Sequence, residues 1–270
     1  MGSPRDGLRI LHIWNTAGVA STTAKFLDRG FGTRSVVIAR KQFDKLGFTT
    51  YGTAYNDGAL GFSLRALRMS RSADIVQVYA WDRILPWLRR FSGSKPLVMY
   101  YVGSEIRGRW EKKKGRWSKA DQVAYTTSDL SEGAPQIAVQ AFCPIDTDLF
   151  HPTGETRQPS SAVSIRYGME KETEESCRRL GLNLKLIDRG SVPYSGMPEL
   201  FSKYEYFIDM RKPPGRSVVE TLGKAGLEAL ASGCKVVDWL GNVHEGLPDE
   251  NRPEKAAAKW YELYQGLMKS

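Results

Sequence analysis

Cysteine is scarce in this 270-residue chain. The three present, Cys143, Cys177 and Cys234, lie far apart with no paired spacing, which excludes a disulfide framework and a cysteine-based zinc site and fits a reducing cytoplasm. There are also only three histidines. His12 falls in a predicted strand and points into packing, while His151 and His244 fall in predicted loops, so none has a catalytic setting. No apolar run approaches the roughly 20 residues that span a bilayer, and residues 1–7 lack the apolar segment of a secretory signal. Repeats and low-complexity tracts are missing too. Gly18, after the first predicted strand, stands without the other glycines of a dinucleotide fingerprint, which argues against a nicotinamide enzyme.

Hydrophobic residues make up 41% of the chain, enough for one large core or two small ones. The net charge of +9 is unevenly placed: residues 1–150 hold 22 Lys and Arg against 13 Asp and Glu, and residues 151–270 hold 17 of each. A broad positive field of this kind favours anionic surface partners and says nothing about fold.

Short apolar runs at 8–14, 35–39, 75–79, 97–101, 122–126 and 137–140 read as strands, with helical stretches at 22–28, 60–69 and 83–91 between several of them. This alternation predicts an α/β fold with a doubly wound parallel sheet. Ligands of such sheets bind beyond the carboxyl ends of the strands, which makes Asp82, Gly103, Ser104, Glu105 and Arg107 candidates for one wall of a cleft, beside Trp81. A second α/β series follows, with strands at 163–166, 184–187, 206–209 and 235–239 and helical material at 170–180 and 198–201. An amphipathic helix is expected over 253–269.

The stretch 218–233, VVETLGKAGLEALASG, holds Glu220 and Glu228 with seven residues between them. Glu220 precedes Gly223 and belongs to a loop, whereas Glu228 lies inside a run of helix formers. With a rise of about 1.5 Å per residue, Glu228 stands roughly 7–8 Å up from the helix start, and an exposed helix N-terminus between the acids suits phosphate. An isolated glutamate pair at this spacing on a surface helix would carry no such meaning.

The string, with its Glu-Ala-Leu-Ala-Ser-Gly ending, resembles the glutamate, seven residues, glutamate motif of the retaining GT-B glycosyltransferases of family 4. Residues 98–107, VMYYVGSEIR, and 141–152, AFCPIDTDLFHP, resemble that family's N-terminal strand end and interdomain linker. The resemblance implies two Rossmann-like domains facing across a cleft: residues 1–150 on the acceptor side, a trimmed donor domain at 151–252, and a helix at 253–270 returning to the first domain. It further implies transfer of a sugar from a nucleotide sugar to a glycan or lipid-linked acceptor, with retention, no metal and no cofactor. Glu220 would orient the sugar and Glu228 the ribose. Arg166 and Lys171, at the family's Arg and Lys spacing, would join Lys224 and the helix amides around the diphosphate, with Thr221, Leu222, Gly223 and Gly18 as backbone contacts. Two departures stand out. Val102 occupies the place of a histidine that many members carry, and Ile165 replaces the glycine before the arginine.

Residues 107–119, RGRWEKKKGRWSK, pack seven basic residues and two tryptophans around Glu111. The composition suits an anionic membrane surface, with residues 83–91 in support, and it equally suits a solvated basic loop. Nucleic acid is not expected, because no recognised nucleic-acid module surrounds the segment. The protein is therefore expected in the cytoplasm, with the inner membrane face as a candidate location. Two other readings compete with the transferase. One is a non-catalytic nucleotide-binding partner of another membrane-associated transferase, favoured by Val102 and the trimmed second domain. The other is a nucleotide-sugar epimerase, disfavoured by the poorly defined acid-base set.

Overall fold

The computed structural model describes residues 7–213 and 215–269 and divides the chain into two compact units. The first runs to Pro144 and resumes at Pro253; the second is Ile145–Arg252. The division thus falls earlier than residue 150. Phe150 explains the shift, because it is fully buried against Tyr194 and Phe201 at 5.5 and 6.2 Å and so fills the core of the second unit.

The first unit is built on seven strands: β1 Arg9–Ile13, β2 Arg34–Arg40, β3 Thr53–Tyr55, β4 Ile75–Tyr79, β5 Leu97–Tyr101, β6 Gln122–Tyr125 and β7 Ala138–Gln140. They form one parallel sheet in the order β3-β2-β1-β4-β5-β6-β7. β4 and β5 are buried at every position, as expected of parallel strands covered on both faces. Residues alternate between those faces. Leu11, Ile13, Val76, Val78, Met99 and Tyr101 share a core with Phe62 and Ala66 of α2 (Ala59–Ser70) and with Leu85 and Leu88 of α3 (Leu85–Phe91). The short α4 (Lys114–Trp117) adds Trp117 to it. The intervening His12, Gln77, Tyr79 and Tyr100 turn the other way. There α1 (Val19–Phe31) packs on the helix that closes the chain, Pro253–Leu267. The Tyr264 hydroxyl of that helix bonds to Gln77 Oε1, and its Trp260 ring meets Tyr100 edge-on at 4.9 Å.

The second unit holds β8 Gln158–Ile165, α5 Glu170–Leu180, β9 Asn183–Ile187, α6 Met197–Lys203, β10 Tyr204–Ile208, α7 Lys224–Ala231, β11 Lys235–Val237 and β12 Val243–His244. Its sheet order is β12-β11-β10-β8-β9, with only the β11–β12 pair antiparallel. Pro253–Leu267 is therefore α8 in chain order. The sequence reading missed β3 and β12, which at three and two residues are too short to show a period. It also began α1 late and ran 83–91 as one helix, where a 3-10 turn at Asp82–Ile84 precedes α3.

His12 is fully buried, with Nδ1 2.8 Å from the Tyr79 hydroxyl and Nε2 unpartnered. Burial lowers its pKa to about 3, against a smaller opposing pull from Asp28. The folded pKa lies below the unfolded value of 6.5, so the unfolded chain binds the proton more readily. The stability tied to neutral His12 is complete above about pH 6.5 and is lost as pH falls toward 3. Between pH 7 and pH 5 this one group should remove about 2 kcal/mol. Urea unfolding at the two pH values should register the loss, and a His12→Asn variant should show a flatter dependence.

Candidate functional site

The motif helix starts on a buried carboxylate. Asp209 follows β10 and is almost fully buried; its Oδ2 accepts the Gly223 N–H at 2.5 Å, and its Oδ1 lies 2.8 Å from Nε of Arg211. Arg211 in turn donates through Nη2 to the Thr221 carbonyl at 2.5 Å, and its own carbonyl accepts the Val219 N–H at 2.9 Å. Gly223 is the N-cap of α7. Gly226, one turn in, lets the carboxylate come close: a Cβ there would stand 2.6 Å from Asp209 Oδ2. An acid of the protein thus already holds the amide that caps the helix, where phosphate alone was expected.

Glu228 lies inside α7 and is buried, as its place among helix formers implied. Its Oε1 accepts the Tyr194 hydroxyl at 2.8 Å and forms an ion pair with Lys224. Lys224 Nζ also donates to the Tyr194 oxygen at 2.7 Å and sits 4.7 Å from the centre of that ring. Burial, with help from Glu228 and against the pull of Lys224, raises the Tyr194 pKa, so the phenol stays protonated and donates. Lys224 was expected at the diphosphate, and its ammonium is instead turned to Glu228. The i,i+4 spacing of Lys224 and Glu228 is the signal that could have indicated this pair. Glu220 is exposed in the loop before the helix, as expected, and Thr221 and Leu222 are half-buried beside it.

Arg166 follows β8 and pairs with Asp188 at 3.1 Å, both largely exposed, and Lys171 is exposed in the first turn of α5. The close backbone approach that Ile165 put in question occurs three residues later. Gly168 has φ +79°, and a Cβ there would meet the Lys212 carbonyl oxygen at 2.4 Å. Asp238, at the end of β11, accepts hydrogen bonds from the backbone N–H groups of Leu240 and Asn242 and contacts His244 Nε2 at 2.8 Å. Burial works against its charge, but these bonds hold the carboxyl below the usual range. They close the β11–β12 hairpin.

In the first unit, Gly18 is buried and caps α1 at φ +80°. Trp14, Ala17 and Ala80 also have positive φ, an uncommon conformation for non-glycine residues and a costly one for tryptophan. They sit just beyond β1 and β4, where the strand order reverses. Asn15 holds this loop: the two N–H groups of its Nδ2 are shared among Ser21 Oγ, the Phe48 carbonyl and Thr49 Oγ1, all within 2.9–3.2 Å, and its Oδ1 accepts the Ser21 N–H.

Most of the proposed acceptor-side residues are engaged within the protein. Asp82, a candidate for one wall of a cleft, is buried against Lys113 at 2.6 Å, Arg116 at 3.2 Å and the Tyr101 hydroxyl at 3.1 Å, so its carboxylate is already paired within the unit. Glu105 Oε1 accepts the Val102 and Gly103 N–H groups at 2.5 and 3.0 Å, and Arg107 pairs with Asp129 at 2.5 Å. Ser104 is exposed. The tryptophans of 107–119 cannot anchor a membrane, because Trp110 and Trp117 are buried and donate to the carbonyls of Leu130 and Trp110 at 2.8 and 2.7 Å. Among the described residues no cluster of His, Cys, Asp and Glu fits a metal ion, and no helix is long and apolar enough to cross a membrane.

No protein-family model matches the chain, and no curated protein matches it. Solved structures do. AviGT4, a glycosyltransferase involved in avilamycin A biosynthesis, superposes with a TM-score of 0.64 at 12% identity, covering 97% of this chain and 98% of AviGT4. An α-glucosyltransferase in complex with UDP and a 13-mer DNA containing an HMU base gives 0.53 at 13%, covering 97% and 92%. Sucrose-phosphate synthase from Thermosynechococcus elongatus gives 0.52 at 11%, covering 96% and 90%. At these identities the likeness shows the fold, which is GT-B with two Rossmann-like units.

The fit of Gly226 against Asp209 is testable. Gly226→Ala should destabilise the protein by about 1–3 kcal/mol through overpacking, read as a lower urea midpoint with an unchanged slope.

Proposed function

We propose that this chain is a retaining, metal-independent glycosyltransferase of the family 4 type, moving a sugar from a nucleotide sugar to a glycan or lipid-linked acceptor. The observation that carries this reading is the buried Glu228, oriented by Tyr194 and Lys224 inside a helix that starts beside Asp209 and Arg211. It occurs in a chain whose fold is shared with AviGT4 and with a glucosyltransferase that binds UDP.

In this reading Glu228 Oε2 takes the ribose diol, since Oε1 already receives two donors. Glu220 orients the sugar. Arg166, Lys171 and Arg211, with the amides at the start of α7, neutralise the diphosphate. A guanidinium suits this because its planar fork matches paired phosphate oxygens. The exposed Arg166–Asp188 pair is worth little and exchanges readily for a phosphate. The acceptor hydroxyl attacks the anomeric carbon from the face that the diphosphate leaves, its proton passing to the departing phosphate oxygen, so configuration is retained. Cations placed where charge develops on the leaving group lower the barrier.

A second reading is a non-catalytic nucleotide-binding partner of another transferase. Val102, in the place of the family's usual histidine, favours it. Incubation with a panel of nucleotide sugars and a lipid and glycan acceptor extract separates the two, because only the enzyme releases nucleoside diphosphate.

Thermal-shift screening with UDP, GDP and ADP should identify one nucleotide that raises the melting temperature. Calorimetry with that nucleotide should then show Glu228→Ala weakening binding by about tenfold or more and Tyr194→Phe by roughly fivefold, the worth of one typical hydrogen bond of about 1 kcal/mol. Glu220→Ala should chiefly slow transfer. Unchanged affinity in Glu228→Ala together with unchanged turnover in Glu220→Ala would sink the assignment.

A further inference from the structure

Between residues 58 and 73, and again between 83 and 104, the sequence holds no aspartate or glutamate. These two stretches contain α2 and α3, which pack side by side. Their C-terminal ends are joined by a 2.7 Å hydrogen bond between the Ser70 and Ser92 hydroxyls. Each helix buries one apolar stripe, Phe62 with Ala66 and Leu85 with Leu88. Each also carries a second apolar pair that the core does not use. Leu60 and Leu64 are 74% and 59% exposed on α2, and Trp87 and Phe91 are 58% and 41% exposed on α3. The Trp87 and Phe91 rings lie parallel, 6.2 Å between centres. Around them Arg68, Arg71, Arg83 and Arg90 are exposed.

We propose that this face of α2 and α3 docks on an anionic lipid bilayer. The excess positive charge of the chain lies in this half; Arg65 and Arg89 pair with Asp57 and Asp121 outside the two helices, while the exposed Arg68, Arg71, Arg83 and Arg90 complement an anionic leaflet. Leucine pairs one helical turn apart, beside a half-exposed indole, have the chemistry of an interfacial helix: the aliphatic chains enter the acyl boundary, the indole sits at headgroup level, and arginines reach outward to phosphate. A nucleic acid would use the arginines and rings but would leave the leucines in water. The surface is distinct from the basic segment 107–119, whose two indoles are buried.

The test is co-sedimentation of the full chain with sucrose-loaded vesicles of phosphatidylcholine, with and without phosphatidylglycerol, at low salt. The wild-type protein should sediment with the phosphatidylglycerol vesicles and not with pure phosphatidylcholine. The double variants Trp87→Ser/Phe91→Ser and Leu60→Ser/Leu64→Ser should each lower the partition by about tenfold or more, with an unchanged melting temperature. Arg83→Gln/Arg90→Gln should lower it and flatten its salt dependence. Failure of the wild type to bind phosphatidylglycerol vesicles overturns the proposal, as does equal binding by both serine pairs. It is also overturned if sedimentation velocity finds a dimer that the serine pairs convert to monomer, because a second copy then covers the face. Tighter binding to duplex DNA, lost in the same variants, overturns it in favour of nucleic acid.

Discussion

The second unit depends on one buried carboxylate. Asp209 is out of water, and a charge in that position is costly unless it is paired and hydrogen-bonded. Arg211 and the Gly223 N–H provide both, and in doing so they fix where α7 begins. The same arginine holds the Thr221 carbonyl through its guanidinium and the Val219 N–H through its backbone. The loop carrying Glu220 is therefore tied at two points to the strand end that starts the helix. Glu228 then reaches Tyr194 from the turn before α6. Tyr194 before α6, Asp209 and Arg211 after β10, and Glu228 within α7 are separated in sequence and are linked through the start and first turns of that helix.

The first unit treats its acids differently. Asp82 and Glu105 lie beyond the ends of β4 and β5, where an open sheet offers ligands its crevice, yet both are spent on local order. Asp82 ties the basic segment to the sheet through Lys113 and Arg116, and Glu105 gathers the two amides that follow β5. The left-handed residues Trp14, Ala17 and Ala80 occupy the neighbouring strand ends. Strained backbone persists only where surrounding bonds over-determine it; here the Trp14 N–H donates to the Ile38 carbonyl, the Ala80 N–H donates to the Tyr100 carbonyl, and the Asn15 amide group bonds within the loop that carries Ala17. The strand ends on this side of the sheet are thus held by bonds within the unit.

The fold was largely legible because β1, β4 and β5 are continuous apolar runs, and burial on both faces of a parallel sheet demands that pattern. What the sequence could not convey is which distant groups meet. Glu228 and Glu220 stood out by spacing, but Tyr194, Asp209 and Arg211 carry no local mark, since their partners are defined only once β10, α6 and α7 pack. The tryptophans of 107–119 misled for another reason. Composition alone suggested an interface, while a 3-10 turn at Glu111–Lys113 followed by the short α4 brings Trp110 and Trp117 edge-on at 6.4 Å inside the unit. The exposed apolar side chains are on α2 and α3 instead, where the periodicity served the core and a second stripe at once.

The pairing of acids also bears on the diphosphate site proposed above. Two glutamates flanking an anion oppose it: like charges about 6 Å apart at an effective dielectric near 20 repel by roughly 3 kcal/mol. Lys224 offsets the charge of Glu228, and Arg211 offsets that of Asp209, so neither buried acid presents a bare charge toward the start of α7. Glu220 remains exposed to water, where its field is screened. The cation at Glu228 thus leaves that carboxylate able to accept hydrogen bonds through Oε2 while removing most of its repulsion.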